Sequence, residues 1–208
     1  MSTEQSQMQN DEHEKYTSCT KYQHASLRGL RFNIRQDINR YLTKSEFNKA
    51  LGKGLKRKLS AFFMPEIQCL SLYRLSHYLY INGWKYLAQI IARLNQIIYK
   101  VNITPQSCIG PACRLSHPPG VVFHGSAGKR LTLFSLAVCY ASTSSADAKI
   151  DVCPKLGNNV QLGAYTSISG PITIGDGVKI FPMLQTKQDI AKNKTLLRRK
   201  LKYKVSSI

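Results

Sequence analysis

A six-residue period is the feature of this sequence that most restricts its fold. From Ile103 to Cys139 every sixth residue is apolar, and a second frame behaves in the same way from Leu156 to Ile180. The full sets are Ile103, Ile109, Leu115, Val121, Ala127, Leu133 and Cys139, then Leu156, Leu162, Ile168, Ile174 and Ile180. This period fits neither a helix nor an alternating strand. It predicts a three-sided parallel β-solenoid of about four coils, in which each hexad forms one side and its aliphatic residue points inward.

A second regularity accompanies the aliphatic residues. A small or branched residue stands four positions after several of them, and this set is Ser107, Cys113, Val160, Thr166 and Val178. We expect these side chains to lie inside the prism, near its corners. Glycine often follows the aliphatic residue, which permits the turn from one side to the next.

The remaining segments predict appendages to the solenoid. Residues 1–27 are polar and predict a flexible arm, and residues 28–100 predict an α-helical region. The solenoid is assigned to 101–182, and a protruding loop to 140–152, because the two frames are out of phase there. Residues 183–208 predict a basic C-terminal tail. The helical region is expected to form a cap whose aromatic residues are mostly core. Its last predicted helix carries one apolar face, made of Trp84, Leu87, Ile90, Ile91, Leu94, Ile97, Ile98 and Val101.

Composition and charge narrow the function classes. The net charge is +19 and the sequence pI is about 9.9, which favours a polyanionic partner such as nucleic acid, anionic lipid or coenzyme A. Basic and aromatic residues do not interleave in a nucleic-acid motif, so nucleic-acid binding is the least favoured reading. The sequence contains no run of eighteen apolar residues, so no membrane span is expected. The N-terminus lacks a secretory signal pattern, and a cytoplasmic location is therefore expected.

The cysteines indicate neither disulfides nor a metal site. The six are Cys19, Cys69, Cys108, Cys113, Cys139 and Cys153, and none forms a Cys-x-x-Cys pair or a Cys/His cluster with zinc spacing. We therefore expect reduced thiols that are mostly buried, and no metal cofactor.

Several motifs resemble a known family. Leu72–Tyr80 looks like its helical lead-in and Val101–Pro105 like the segment that follows, while Leu115-Ser-His-Pro-Pro-Gly-Val121 looks like its catalytic segment. Its late coils are matched by Pro154–Val160, Leu162–Ala164 and Ile174–Val178. On these motifs, residues from about 66 to 182 resemble serine O-acetyltransferases and related hexapeptide-repeat acyltransferases. The resemblance implies a mainly β fold, a left-handed parallel β-helix with an α-helical N-terminal region.

The same resemblance implies the site residues. His117 is the expected general base, and Asn102 stands where the family has a carboxylate that orients this histidine. Ser116 replaces an acidic residue, and Cys153 falls in the place of one member of an Arg-His pair that binds the substrate. His124, one repeat after His117, is a further candidate for contact with the acyl acceptor.

The resemblance also implies a donor and an assembly. Acetyl-CoA is expected as acyl donor, lying along the groove between neighbouring prisms against Ala164, Lys179 and Pro182, with Lys179 also placed to meet a phosphate. A homotrimer or a dimer of trimers is expected, without a metal.

Three functions follow, and the sequence leaves them open. The first is transfer of an acetyl group to the hydroxyl of L-serine, giving O-acetylserine for cysteine biosynthesis. The second is O-acetylation of a sugar or another small hydroxyl compound, favoured by the replaced serine-binding groups. The third is a non-catalytic β-helix scaffold, favoured by Asn102 and the altered tail.

Overall fold

Three parallel sheets form the sides of a prism in the computed structural model. The structure describes residues 22–44, 63–141 and 152–197. The predicted arm before residue 22, most of the predicted loop 140–152 and the tail after residue 197 lie outside the described residues.

The strands are short and follow each other around the prism. Their bounds are β1 (Asn102–Ile103), β2 (Cys108–Ile109), β3 (Arg114–Ser116), β4 (Val122–Phe123), β5 (Ser126–Ala127), β6 (Thr132–Phe134), β7 (Val138–Tyr140), β8 (Lys155–Leu156), β9 (Gln161–Leu162), β10 (Ser167–Ser169), β11 (Thr173–Ile174), β12 (Lys179–Ile180), β13 (Gln185–Thr186) and β14 (Thr195–Leu196). Sheet A has the order β1-β4-β7-β10-β13, sheet B has β2-β5-β8-β11, and sheet C has β3-β6-β9-β12-β14. All pairs are parallel, and neighbours in a sheet are one coil apart in the chain. The predicted parallel solenoid is therefore confirmed.

Burial confirms both ladders that the period predicted. All twelve aliphatic positions of the two frames are buried, and so are all five small or branched positions. The inward residues of successive coils stand in register, for example Leu115 with Leu133 and Leu133 with Leu162. Burying these side chains at roughly 25 cal/mol per Å² of apolar surface is what holds the coils in line.

The regular spacing in the sequence contains a two-residue insertion and a two-residue deletion that compensate each other. The register partner of Ile103 is Phe123, not Val121, so eight residues separate the inward Leu115 from the inward Phe123. Only four then separate Phe123 from Ala127. The two-residue insertion and the two-residue deletion cancel, and Val121, although buried, occupies the second inward position of its side.

The solenoid continues beyond residue 182, where the hexad frame predicts that it ends after about four coils. β13 and β14 add a fifth coil, and Ile190 bridges to Ile174 on sheet B. The aliphatic frame fails there because Thr186 takes an inward position and only four residues separate it from Ile190.

Three helices precede the solenoid: α1 (Leu27–Lys44), α2 (Pro65–Ile81) and α3 (Lys85–Tyr99). Side chains of α1 and α2 pack against the first coil. Most of the apolar face predicted for the last helix lies on α3 and is exposed: Ile90, Ile97 and Ile98 are each more than half exposed, whereas Val101, just after the helix, is buried. The aromatic residues expected in the core are exposed at Trp84 and Tyr86, and the buried side chains of α3 are Ala88 and Asn95. Among the described residues, none of the helices has the length and apolar character that crossing a membrane requires.

Candidate active site

His117 lies on the two-residue insertion, at the corner that joins sheet C to sheet A (the C–A corner). In the following coils this corner has one residue with left-handed backbone, three positions after the inward residue, and these residues are Leu136, Tyr165 and Met183. In the first coil Gly120 takes this place, with a φ of 77°. His117 is an additional left-handed residue, with a φ of 59°, and its side chain is exposed. The insertion therefore presents an imidazole that a regular hexad would not carry.

Neighbouring coils hold the insertion in place from both sides. The Gly120 N–H donates to the Lys100 carbonyl at 2.8 Å, and the Leu136 N–H donates to the Pro119 carbonyl at 3.3 Å. A Cβ added at Gly120 would collide with the Leu136 side chain. The loop is thus fixed by backbone bonds and by close packing, which positions the backbone of His117.

Asn102 lies on the coil edge beside this loop. Its N–H donates to the Val121 carbonyl at 2.9 Å, and it pairs with Val122 in sheet A. In the described part of the chain no side-chain hydrogen bond joins Asn102 to His117, so the orienting role of Asn102 stays a prediction. Ser116 ends β3, half-buried, directly before His117.

His124 and Cys153 both lie at a different corner, between sheets A and B. The His124 N–H donates to the Cys139 carbonyl at 2.8 Å, and the Cys139 thiol lies 3.8 Å from the His124 carbonyl oxygen. The Cys153 side chain is buried, and a Cβ added at Gly125 would collide with the Pro154 carbonyl. Burial lowers the pKa of His124, and its Nε2 has no hydrogen-bond partner among the described residues. This corner therefore presents a neutral imidazole and a buried thiol rather than charged groups.

Two of the three predicted coenzyme positions share the corner of His117. The Leu136, Tyr165 and Met183 N–H groups donate to the Pro119, Ser135 and Ala164 carbonyls in turn, which stacks the corner coil on coil. Ala164 and Pro182 belong to this stack. At about 4.8 Å per coil, Ala164 lies about 10 Å along the prism axis from His117 and Pro182 about 14 Å. Lys179 lies on β12, in the adjoining sheet C, with its side chain exposed.

The same corner carries exposed apolar side chains, which we call the apolar column. Its members are Phe134, Leu136, Tyr165, Phe181 and Met183, of which Met183 is 63% exposed. Large exposed apolar patches on a protein mark interaction surfaces. The column begins at the coil directly after His117, so a long, partly apolar ligand can run from His117 along the corner.

A buried polar network ties the first coil to the helices. Arg74 on α2 forms an ion pair with Asp37 on α1, with Nε and Oδ2 2.9 Å apart, and also donates to the carbonyls of Ile109 and Gly110. The Asp37 carboxylate accepts from the Cys113 N–H at 2.7 Å. Burial raises the pKa of Asp37, and the Arg74 charge opposes that shift.

Further side chains from the helices form hydrogen bonds with backbone groups of the first coils. Arg40 donates to the Leu131 carbonyl at 2.6 Å and to the Ala112 carbonyl at 2.5 Å. The Tyr41 hydroxyl accepts from the Leu115 N–H at 2.7 Å, and the Tyr73 hydroxyl donates to the Ser107 carbonyl at 2.8 Å. Unpaired N–H and C=O groups on the first coil are satisfied by helix side chains in this way.

Comparisons with known proteins agree on one family. The chain is 32% identical over 118 residues to a serine acetyltransferase of Helicobacter pylori, a match that covers 56% of this chain and 67% of that protein. It superposes with a TM-score of 0.71 on a serine acetyltransferase of Entamoeba histolytica solved with cysteine, at 22% identity, over 86% of this chain and 62% of that one. A serine acetyltransferase of Neisseria gonorrhoeae solved with serine gives a TM-score of 0.70 at 21% identity, over 82% of this chain and 67% of that one. No family model matches the sequence.

The repeat, the three-sided parallel coil and the helical lead-in define this chain as a hexapeptide-repeat β-helix protein. A mirror-image coil would not superpose on these structures, so it winds in the hand of its relatives, which the resemblance gives as left-handed. Within that class, the sequence matches make the assignment particular: the chain belongs to the serine acetyltransferase family. It spans about two thirds of the length of the relatives named above, or slightly less.

Sequence reasoning missed a second cluster of reactive side chains. His24, His77 and Cys108 are buried together, although they are far apart in the chain. Because each comes from a different segment, no local spacing motif identifies the cluster.

Proposed function

We propose that this protein transfers the acetyl group of acetyl-CoA to the hydroxyl of L-serine, giving O-acetylserine for cysteine biosynthesis. The observation that carries the proposal is the position of His117, an exposed imidazole on a backbone-fixed insertion at one corner of a serine acetyltransferase fold. Imidazole suits general base catalysis because its ordinary pKa lies near neutrality.

The reaction needs one base and a held geometry. His117 removes the proton of the serine hydroxyl while the oxygen attacks the thioester carbonyl. The tetrahedral intermediate then expels the coenzyme A thiolate, which receives the proton from the imidazolium, so that free thiol leaves and His117 becomes neutral again. Because the thiolate is a good leaving group, direct attack within a ternary complex suffices and no acyl-enzyme is required.

The C–A corner is the proposed binding path for the coenzyme. Its apolar column suits the pantetheine arm, and the Ala164 carbonyl and Pro182 lie in the same stack of corners. The exposed ammonium of Lys179 lies on the adjoining sheet, where it is available to a phosphate. Assembly into a homotrimer, also proposed, would turn this corner into a groove by placing a second prism beside it.

Asn102 defines how this site differs from its family. An asparagine can hydrogen-bond the imidazole but cannot stabilise the imidazolium by charge. We therefore expect a slower enzyme with the same chemistry.

The cytoplasmic location stays a prediction from the sequence.

A second acceptor class has specific support. Where the family resemblance places an Arg-His pair for the substrate carboxylate, Cys153 is buried and its predecessor is Val152. A small hydroxyl compound without a carboxylate, such as a sugar, would not need that pair.

The test is acceptor-dependent release of thiol from acetyl-CoA by the purified protein. L-serine, L-threonine, L-homoserine and a set of monosaccharides are compared at equal concentration, with direct detection of the O-acetyl product by mass spectrometry. The proposal expects L-serine to be the preferred acceptor. Preference for a sugar would replace the acceptor and keep the chemistry, whereas no product with any acceptor and no acetyl-CoA binding by calorimetry would support a scaffold.

A further inference from the structure

A buried cluster of two histidines and a cysteine lies where the helices meet the first coil. His24 Nδ1 lies 2.7 Å from His77 Nε2, and Cys108 Sγ lies 3.9 Å from His24 Nδ1. One ligand atom from each of the three residues falls within 4.8 Å of the other two. All three side chains are buried, and they come from the turn before α1, from α2 and from β2.

The surroundings fix which nitrogen of His77 carries a lone pair. Its Nδ1 lies 2.7 Å from the Pro105 carbonyl, an acceptor only, so Nδ1 carries the proton. His77 Nε2 therefore presents its lone pair to His24. A carbonyl that binds the far nitrogen of a histidine is the usual outer partner of a metal ligand, because it sets the tautomer and the ring orientation.

The second imidazole is positioned by ring stacking and by the turn that carries it. The ring of His24 stacks on Tyr22, with centroids 5.8 Å apart, and its turn is closed by the Ser26 hydroxyl, which accepts from the Gly29 N–H at 2.9 Å. His24 Nε2 is buried without a hydrogen-bond partner among the described residues.

Two nitrogens and one sulfur give a tetrahedral site one nitrogen-nitrogen edge and two nitrogen-sulfur edges. The first edge and one nitrogen-sulfur edge are near the expected lengths, and the second nitrogen-sulfur pair lies within 4.8 Å. With Zn–N at 2.0–2.1 Å and Zn–S at about 2.3 Å, two ligand nitrogens lie about 3.3 Å apart and a nitrogen and a sulfur about 3.6 Å apart. From 2.7 Å and 3.9 Å, the imidazoles would separate by about 0.6 Å and the thiol would approach by about 0.3 Å. Small side-chain rotations supply such shifts.

We propose that His24, His77 and Cys108 supply three ligands of a tetrahedral site for a borderline-soft divalent cation of the zinc type, with a water molecule as the fourth ligand. The cation takes the place of the proton between the two imidazoles, the Cys108 thiol binds as thiolate and releases its proton, and the His24 proton moves to Nε2. Nitrogen and thiolate ligands select zinc-like ions over magnesium or calcium, which prefer oxygen.

The site would act as a clasp between three segments. Its ligands join the turn at residue 24 to α2 and to β2 of the first coil, which bears the insertion with His117. Since such a site does not exist in the unfolded chain, the binding free energy adds to the stability of the fold. The proposal does not depend on the enzymatic reaction, and its test needs no activity.

The test uses the tag-free full chain, stripped with a chelator and reloaded with Zn²⁺ or Co²⁺. After gel filtration, we expect one zinc per chain by elemental mass spectrometry. At zinc one hundred times above its Kd, the melting temperature should rise by about 5–10 °C. Co²⁺ should give the near-ultraviolet absorption of a thiolate-to-cobalt transition, which reports a bound cysteine directly.

The matched variants are Cys108→Ser and Cys69→Ser. Cys69 is also a buried thiol, on the same helix as His77, but outside the cluster. Cys108→Ser should abolish the cobalt band and the thermal shift, and Cys69→Ser should keep both. His24→Gln should weaken zinc binding by more than the about 10–100-fold that outer-shell changes cost.

Two results would overturn the proposal. One is a wild-type chain that retains no zinc after reloading, which does not depend on any variant folding. The other is a cobalt band and thermal shift that survive unchanged in Cys108→Ser, which would assign the metal to other residues.

Discussion

The first and last coils of the prism both have strand edges with unpaired backbone N–H and C=O groups, and the two edges differ in what covers them. At the first coil, the strand edge is covered by helices, and buried side chains such as Asp37, Arg74 and Tyr41 bind its N–H and C=O groups. At the fifth coil, the described residues leave the edge exposed to solvent, with Lys187, Lys192 and Lys194 on or beside it. Lysines on an exposed edge oppose pairing with another chain.

The difference explains part of the unusual charge of this protein. Residues 183–197 look like the start of a basic tail in the sequence, but they form the last coil, and their lysines decorate its rim. The covered end instead buries its charge in an ion pair and holds the coil that carries His117. Buried polar contacts between the helices and the prism are therefore concentrated at the end that bears the candidate site.

The largest effect should come from the buried ion pair at the covered end. Arg74→Met removes the cationic partner of the buried Asp37 carboxylate and the donor to two carbonyls, which should cost about 3–5 kcal/mol. For a chain of this size the melting temperature should fall by about 6–20 °C. Thermal unfolding followed by circular dichroism measures this.

The matched variant at the open end is Lys194→Met. Because Lys194 is exposed, the free energy of unfolding should change by less than about 0.5 kcal/mol. A loss of equal size at both ends would contradict the distinction between a covered and an open edge.

Truncation of an inward leucine should cost more in the middle of the prism than in its last coil. Leu162 is fully buried on sheet C, in the third of the five coils, so Leu162→Ala should cost about 2–5 kcal/mol. Leu196 takes the same place in the last coil but is only partly buried, so Leu196→Ala should cost less than half as much. Urea unfolding of both variants gives the comparison, and equal losses would show that the fifth coil is as closed as the third.

Two glycines separate the effect of backbone strain from the effect on the site. Gly120 and Gly177 have φ angles of 77° and 71°, on different corners, and an added Cβ at each would meet the side chain of Leu136 or Asn193. Substitution by alanine should cost about 1–2 kcal/mol at either position. Only Gly120→Ala should lower kcat, because only this glycine fixes the loop that carries His117. Equal kcat values in the two variants would remove the insertion from the mechanism.

The smallest effect concerns acid stability at the exposed corner of Gly177. Hydrogen bonds from the Asn158 backbone N–H and side chain lower the pKa of Asp176. A carboxyl group whose pKa is lower in the folded state stabilises the fold above its unfolded pKa of about 3.9, and this contribution is lost as the pH falls through the folded value. Asp176→Asn should therefore flatten the fall in melting temperature below about pH 4. If the melting temperature of the variant falls below about pH 4 as steeply as that of the wild type, other carboxylates cause the fall.

The sequence predicts the solenoid well because its constraint repeats. Each inward aliphatic position satisfies the same packing requirement, so the period is visible without knowledge of contacts. The exceptions fall where the repeat is irregular. The period marks Val121 instead of Phe123 as the inward residue, because an insertion and a deletion of two residues cancel. The period does not predict the fifth coil, because the polar Thr186 takes an inward position there. α3 also differs from expectation, since amphipathic spacing predicts an apolar face but not what covers it.

The candidate site is less accessible to such reasoning. His117 is identified by its resemblance to a family motif, and the structure adds that the motif is a corner insertion. The pairing of Asp37 with Arg74, and of His24 with His77 and Cys108, joins residues more than thirty positions apart. Composition predicts that charged residues lie in solvent, so nothing in the sequence marks Asp37 and Arg74 as buried. A buried thiol is expected at Cys108, but its two histidine neighbours are not.

The steady-state rate of His117→Ala tests the proposed mechanism most directly. With saturating acetyl-CoA and the preferred acceptor, kcat should fall by about 10²–10⁴-fold, while acetyl-CoA binding by calorimetry stays near the wild-type value. Asn193→Ala, an exposed left-handed residue on another corner, is the control and should keep kcat. A His117→Ala variant with kcat within threefold of the wild type and a folded solenoid would contradict the assignment of His117 as the base.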